Sequence, residues 1–589
     1  MSSSVERTTT GSRSSNSIVL DAAFREFHEV EYPELAADDA FERFATVQVL
    51  KPRDLSSDEL AAGIVDGERD GGVDGFFVFL NGVLLSPDDP LLVPGQSAVR
   101  QVGVRPDLEI VLIQAKNSDH WEELAWQKLQ SSLPSLLDID ADDAALEDRF
   151  RPAVVEQTGI FRRALNALGA RFPNVTFRIA YITRAPEENV TITIDALRLE
   201  VEELLRGLLT TGARVTAEHI GVSKLYALAG ADPSEPGVLV FRDLVRERDS
   251  FVGVTTIKDY LAFVRDKDGG LREELFDSNV RDYEGDNSVN EAIAETLESA
   301  DGAEFWWLNN GVTILGDHVD SPQKTLTISR PLIVNGLQTT HVLHRVERDK
   351  RMHRSRLDDG LIVRVIVSSE EDVRDRIIAG TNRQTSVPGP ALYATQPLQH
   401  DIERFLHAKG WYYERRKNRY KNLGKPAKRR VTIGFLAQAM ITLSLGRPDE
   451  ARARPSSLLS RLEGYATIFP ADGEIEAYLT AIELQRGVDE YLSSEEAKKI
   501  LDEFTNTRFY VAAGYVILQL RLSDTSKFRF QQTHTRLSVP LKTPSLRRAL
   551  ITLAEVADLY QASNLKVSRD AMFKSGDFRA QYFAALAKK

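Results

Sequence analysis

An acid that opens one apolar run and a Gln-x-Lys that closes another are the residues of this chain best placed to do chemistry. The first stands in Asp70-Gly-Gly-Val-Asp74-Gly, the second in Glu109-Ile-Val-Leu-Ile-Gln114-Ala-Lys116. A β-strand turns successive side chains to opposite faces, so Gln114 and Lys116 point one way and Ala115 the other. If the two runs pair, Asp74, Gln114 and Lys116 meet at one sheet edge. A carboxylate and an amide oxygen there can hold Mg²⁺ or Mn²⁺, while an ammonium orients or activates a water. This is equipment for phosphodiester hydrolysis, and a metal-dependent nuclease acting on DNA is the leading expectation. Solvated surface charges explain many such pairs. The Gly-Gly before Asp74 and the buried character of both runs favour catalysis.

On Asp74 and Gln114-Ala-Lys116, roughly residues 25 to 230 resemble the PD-(D/E)xK nuclease superfamily, in the Gln-x-Lys variant of Mrr-type restriction endonucleases. The resemblance implies a restriction-endonuclease-like α/β sandwich and a further carboxylate on the helix before the first strand. Glu42 suits that role, because Phe41, Phe44 and Val47 are spaced for one apolar helix face. Glu42, Asp74 and Gln114 are then the expected metal ligands, with Lys116 serving the attacking water. Gln114 departs from the Asp or Glu of most of the superfamily and lacks the charge that tightens Mg²⁺.

Strands and helices alternate through this region. Val175 to Ile182 and Ala213 to His219 read as strands, and Asp119–Leu137, Ala153–Leu168 and Ile194–Leu209 as helices. Gly230 to Gly237 is rich in turn residues and marks a boundary. The expected fold class is α/β (α+β) multidomain: a disordered tail over 1–17, a nuclease-like domain over 18–230, a mixed α/β domain over 238–450, and a helical region over 451–589.

The second half carries its own polar motifs: Asn279-Val-Arg281, Asn309-Asn310-Gly311, Asn335-Gly336-Leu-Gln338-Thr, and Asn382-Arg-Gln384. Amides at strand ends and helix starts can bond a planar or phosphorylated ligand, and helix N-termini favour anions. Capping and turn formation also use such residues. In this order the motifs resemble the AIPR family, named for abortive infection phage resistance. That resemblance implies bacterial anti-phage defence, often with a nuclease-like N-terminal region, and the leading expectation is a nuclease gated by the second half. Arg281, Asn310, Asn335, Gln338 and Asn382 are the candidates for holding a nucleotide ligand. The Asn-Gly-x-Gln element is also faintly similar to an element of ParB-like proteins, although the acid and adjacent Arg of that element are missing here.

The 589 residues exceed one ordinary core and suggest about three or four domains. With 42% hydrophobic and 27% charged residues the composition is that of a soluble globular protein, and no apolar run approaches a membrane span. The absence of cysteine excludes disulfides, thiolate catalysis and Cys-based zinc sites, and fits a cytoplasmic protein. A homo-oligomer is compatible with everything read so far.

The net charge of −13 argues against a wholly basic nucleic-acid coat. One basic stretch, Arg415-Arg416-Lys417-Asn-Arg419-Tyr-Lys421, follows Trp411-Tyr-Tyr and offers phosphate contacts beside stacking rings. A solvated basic loop is its plainer reading. No P-loop and no His-Glu-x-x-His occurs. Two other functions stay open: a nucleic-acid or nucleotide sensor with an inactive nuclease fold, and an NTPase centred on the Asn-Gly-x-Gln half.

Overall fold

The computed structural model describes residues 15–588, except 54, 66, 93–98, 100–101, 210–211, 231–235, 249, 267–268, 277–287, 301–302, 369, 371–372, 375, 378–395, 416–418, 454–457, 460–461, 471–472, 523–527, 529 and 538. The architecture is a multidomain α+β one, with mixed sheets in the first two units and helices in the third.

The first unit is a five-stranded sheet of order β2-β1-β3-β4-β5. Its strands are β1 (Gly75–Leu80), β2 (Val83–Leu84), β3 (Asp107–Ala115), β4 (Asn174–Ile182) and β5 (Arg214–Ile220). β1 pairs antiparallel with β3, while β3, β4 and β5 run parallel. Parallel neighbours need helical crossovers that cover both faces, so these strands are apolar on both sides. Phe77, Phe79, Val111 and Ile113 face α1 (Ser15–Glu31) and α2 (Ala37–Val49). Their neighbours Phe76, Val78, Ile110 and Leu112 share a core with residues of α3 (Glu123–Leu136), α4 (Pro152–Leu168) and α5 (Ile192–Leu208). The helix expected over 153–168 and the strand over 175–182 are found within a residue of those bounds. α1 begins at Ser15, inside the span read as a tail, whose first 14 residues lie outside the described ones.

The second unit holds a five-stranded sheet of order β12-β9-β13-β8-β7 and a three-stranded one of order β10-β11-β6. Its strands are β6 (Gly237–Val240), β7 (Asp243–Glu247), β8 (Ser250–Thr256), β9 (Val312–Gly316), β10 (His318–Asp320), β11 (Thr325–Ser329), β12 (Leu332–Asn335) and β13 (Gly360–Val367). Tyr260, Leu343 and Val346, on helices Ile257–Val264 and Leu337–Arg348, pack with Phe251, Val363 and Val365 on one side of the larger sheet.

The helical core gathers Ile402, Met440, Tyr478, Tyr510, Leu550 and Tyr582. It starts well before residue 451, so the boundary expected there divides elements that share one core. Among the described residues no helix is long and apolar enough to cross a membrane.

This helical unit also grips the first. Lys574 Nζ lies 3.1 Å from Glu156 Oε1 and 2.7 Å from Asp570 Oδ2, and Arg452 pairs with both acids. Glu156 and Arg452 are buried. Burial alone pushes the Glu156 carboxyl up, but the Arg452 and Lys574 charges outweigh it and hold the group ionised, well below the usual carboxylate range.

Candidate active site

β1 and β3 are in register with Gly75 opposite Ile113, which sets Asp74 beside Gln114. The backbone N–H of Asp74 donates to Ile113 O at 2.9 Å, continuing the ladder past the strand end. Asp74 is 1% exposed, and its Oδ2 accepts from Gln114 Nε2 at 2.9 Å and from the Ala115 N–H at 2.6 Å. Lys116 follows β3, held by its N–H donating to Ile182 O. Its Nζ lies 3.8 Å from Asp74 Oδ2 and 3.3 Å from Glu42 Oε1. Glu42 reaches this point because Phe41 and Phe44 bury the opposite flank of α2 under the sheet. All four residues expected at the site therefore converge, with the ammonium between two carboxylates.

Gln114 is 1% exposed and its Oε1 is a buried acceptor with no hydrogen bond among the described residues. A carboxylate neighbour can only accept, which fixes the amide with its NH₂ toward Asp74. A buried amide oxygen and two acids that share one counter-charge form a donor set that fits a hard divalent cation. Among the described residues no group of three or more His, Cys, Asp or Glu gathers, so the amide is needed to complete any such site.

The turn before Asp74 shapes the pocket. Gly72 sits at φ +86°, and a Cβ on it would come within 2.8 Å of Lys128 Cβ and 3.1 Å of Gln114 Oε1. Gly72→Ala is expected to destabilise the protein by about 1–2 kcal/mol through the left-handed backbone alone. It should also displace Gln114; a thermal melt together with Mn²⁺ titration checks both effects.

The register carries the row of Gln114 onward, to Tyr181 on β4 and His219 on β5. Tyr181 OH accepts the Glu122 N–H at 3.1 Å, and Trp121 and Trp126 enclose Tyr181 and His219 edge-on. Sequence reasoning placed these residues in core elements only; the parallel pairing that aligns them with Gln114 was the missing signal. Arg184, just past β4, binds Asp21 at 3.2 Å near Lys116, and Asn117 Nδ2 donates to Asp38 at 2.9 Å.

Trp126 Nε1 donates to His219 Nε2 at 3.0 Å, which requires a neutral imidazole. Burial, then the Arg198 charge, pulls the His219 pKa down to about 4. Burial likewise lowers His341 to about 3 and His344 to about 4, the latter accepting from Arg265 Nε at 3.1 Å. These pKa values lie below the 6.5 of the unfolded chain, so the unfolded state binds more protons between the two. Stability is therefore expected to be full above pH 6.5 and to fall as pH drops toward 4. Melting temperatures measured across pH 4–8 check this.

In the second unit Asn310 and Asn335 are exposed at strand ends. Gln338 is half-buried, its Oε1 accepting from Asn290 Nδ2 at 2.9 Å. Arg281 and Asn382 lie outside the described residues.

The described residues of the basic stretch, expected to offer phosphate contacts, are bound by groups of the protein itself. Arg415 is buried with Nε 2.9 Å from Glu403 Oε2, and Arg419 Nη1 lies 2.7 Å from Glu403 Oε1. Lys421 Nζ donates to Leu55 O at 2.6 Å, and beyond it Lys428 and Arg430 bind Glu34 and Glu31 of the first unit at 2.6 and 2.9 Å. Glu31 and Glu34 of the first unit, remote in sequence, and Glu403, 12 residues before Arg415, are what engage it. Arg416 and Lys417 lie outside the described residues.

With these sites placed, residues 276–533 match the family model described as AIPR protein. The matched span runs from the second unit into the helical one, and residues 1–275 lie outside it. No curated protein and no solved structure matches the chain.

Proposed function

We propose that this is an anti-phage defence protein of the abortive-infection kind, a Mg²⁺-dependent DNA endonuclease gated by its AIPR-like half. The AIPR match supports the defence role. The observation that carries the nuclease reading is the convergence of Glu42, Asp74, Gln114 and Lys116, with Lys116 Nζ 3.3 and 3.8 Å from the two carboxylates. Glu42, Asp74 and the Gln114 amide oxygen are the residues to hold Mg²⁺ or Mn²⁺. When bound, such an ion polarises a phosphoryl oxygen and lowers the pKa of water. Lys116 is suited to orient the attacking water and to offset charge gathering on the phosphate. Burial of Asp74 and Gln114 keeps both groups in one geometry. Gating has a physical basis in the ion pairs that bind the helical unit to the first.

The test is cleavage of phage and plasmid DNA with Mg²⁺ or Mn²⁺, comparing the wild type with Lys116→Ala. The amide in place of an acid at Gln114 favours a second reading, a defence sensor with an inactive nuclease fold that binds nucleic acid or nucleotide. DNA affinity that is indifferent to metal, without cleavage, distinguishes it. In either reading the exposed amides Asn310 and Asn335 suit a nucleotide ligand. Phosphate release that depends on Asn335 and not on Lys116 would make the second half an NTPase instead.

A further inference from the structure

The outer face of the larger second-unit sheet brings together groups whose side chains have no partner among the described residues. Register aligns Val245, Val252, Arg364, Thr313 and Asn335 in one row across β7, β8, β13, β9 and β12. Register partners share a face, so Arg364 stands in the middle of the sheet with Asn335 at its edge. Val252, Arg364 and Asn335 are exposed and Thr313 between the last two is buried, while Phe251, Val363 and Val365 point into the core. A guanidinium at the centre of a sheet face is costly to strip of water and contributes nothing to the core. Among the described residues its side chain makes no ion pair or hydrogen bond, and neither do those of Asn310 and Asn335.

At one end of this face stand two indoles. Trp306 and Trp307 are 38% and 63% exposed on the short turn Phe305–Leu308. Trp306 lies over Gly360, where a Cβ would come within 3.1 Å of its Cδ1. The turn is fixed by Asn309, whose Oδ1 accepts the Gly311 N–H at 3.0 Å and whose Nδ2 donates to Thr339 Oγ1 at 3.3 Å. Gly311 in turn packs against Ile362, leaving no room for a side chain. The indoles are thus held by a rigid turn beside Asn310.

Gly360 and Arg364 lie on one face of β13, about 13 Å apart along the strand. Indoles stack on a base, amides pair with its edge, and a guanidinium grips phosphate. We infer that this face binds a nucleoside phosphate, with the base on Trp306 and Trp307 and the phosphates on Arg364. The inference rests on the reading that the second half engages a ligand, and it names that ligand's class and its anchor. A single-stranded nucleic acid would need a track of cations. Among the described residues the face offers one, and its edge strand β7 contributes Asp243 and Glu247 on the same side as Val245.

Calorimetric titration of the full chain with ATP, with GTP and with the oligonucleotide dT12 tests this. ATP or GTP should bind. Arg364→Ala and Trp307→Ala should each weaken that binding at least tenfold, Arg364→Lys less, and Lys116→Ala not at all. All three positions are exposed or half-buried, and matching thermal melts establish that the four variants are folded. Unchanged affinity in Arg364→Ala and Trp307→Ala overturns the assignment of this face while leaving a ligand-sensing second half intact. No heat with either nucleotide overturns both. Tighter binding of dT12 that Arg364→Ala abolishes replaces the nucleotide with nucleic acid.

Discussion

Lys116→Ala is expected to cost DNA cleavage at least about 100-fold, the scale of losing a positioned proton-transfer group, with the fold retained. The Lys116 side chain is half-buried at the sheet end, 35% exposed, so its removal opens no core cavity. The substitution leaves Glu42 and Asp74 without the ammonium between them, so Mn²⁺ should bind as well as before or more tightly. That pairing of outcomes, activity lost and metal retained, separates a reacting lysine from a structural one. Asp74→Ala should lose both. It also leaves the Ala115 N–H and the Gln114 amide without their buried acceptor, at about 1–3 kcal/mol each. Gln114→Glu supplies the opposite perturbation. It adds the charge the site lacks, so Mn²⁺ affinity should rise at least tenfold, while in EDTA two facing carboxylates should lower the melting temperature. Cleavage by Lys116→Ala at the wild-type rate would end the nuclease assignment.

Arg452→Ala should destabilise the protein by about 3–5 kcal/mol, the cost of leaving a buried charge without its partner. Arg452 is the group shared by Glu156 of the first unit and Asp570 of the helical unit, and its Nε donates to Asn506 Oδ1 at 3.3 Å. Without it Lys574 alone faces buried Glu156 and half-buried Asp570, and the Asp570 carboxyl is already pushed up by desolvation and by the Glu156 charge. Replacing both partners, as Glu156→Gln with Arg452→Met, should recover most of the loss, because no ion is then left uncompensated. Urea denaturation followed by tryptophan fluorescence measures this, and proteolysis shows whether the two units separate first. Equal stability of Arg452→Ala and the wild type would mean water reaches the cluster.

The site strands were legible because alternation is local. Phe76 and Phe77 face opposite cores, and the same period-two rule that separates them puts Gln114 and Lys116 together. Glu42 was legible through the spacing of Phe41 and Phe44, which decides the direction of its helix face. Tyr181 and His219 were not, because their place beside Gln114 depends on which strands pair in parallel, and that order is set by crossover packing. The basic stretch misled for a related reason. A run of cations looks the same whether it meets phosphate or Glu31, Glu34 and Glu403, and only the tertiary arrangement brings those acids to it. The early start of the helical core at Ile402 was equally hidden, since the helix that carries it is amphipathic in the ordinary way.

Glu147 accepts backbone N–H bonds from Arg569 and Asp570 across 422 and 423 positions of chain. A ribosome adding about 5–20 residues per second needs roughly 20–80 s to make that much polypeptide. The first unit has its strands, both layers of helices and all four site residues long before the distal helices emerge. A nascent chain thus passes through a window in which Glu42, Asp74, Gln114 and Lys116 are assembled and the helices that bond to their unit have yet to be synthesised.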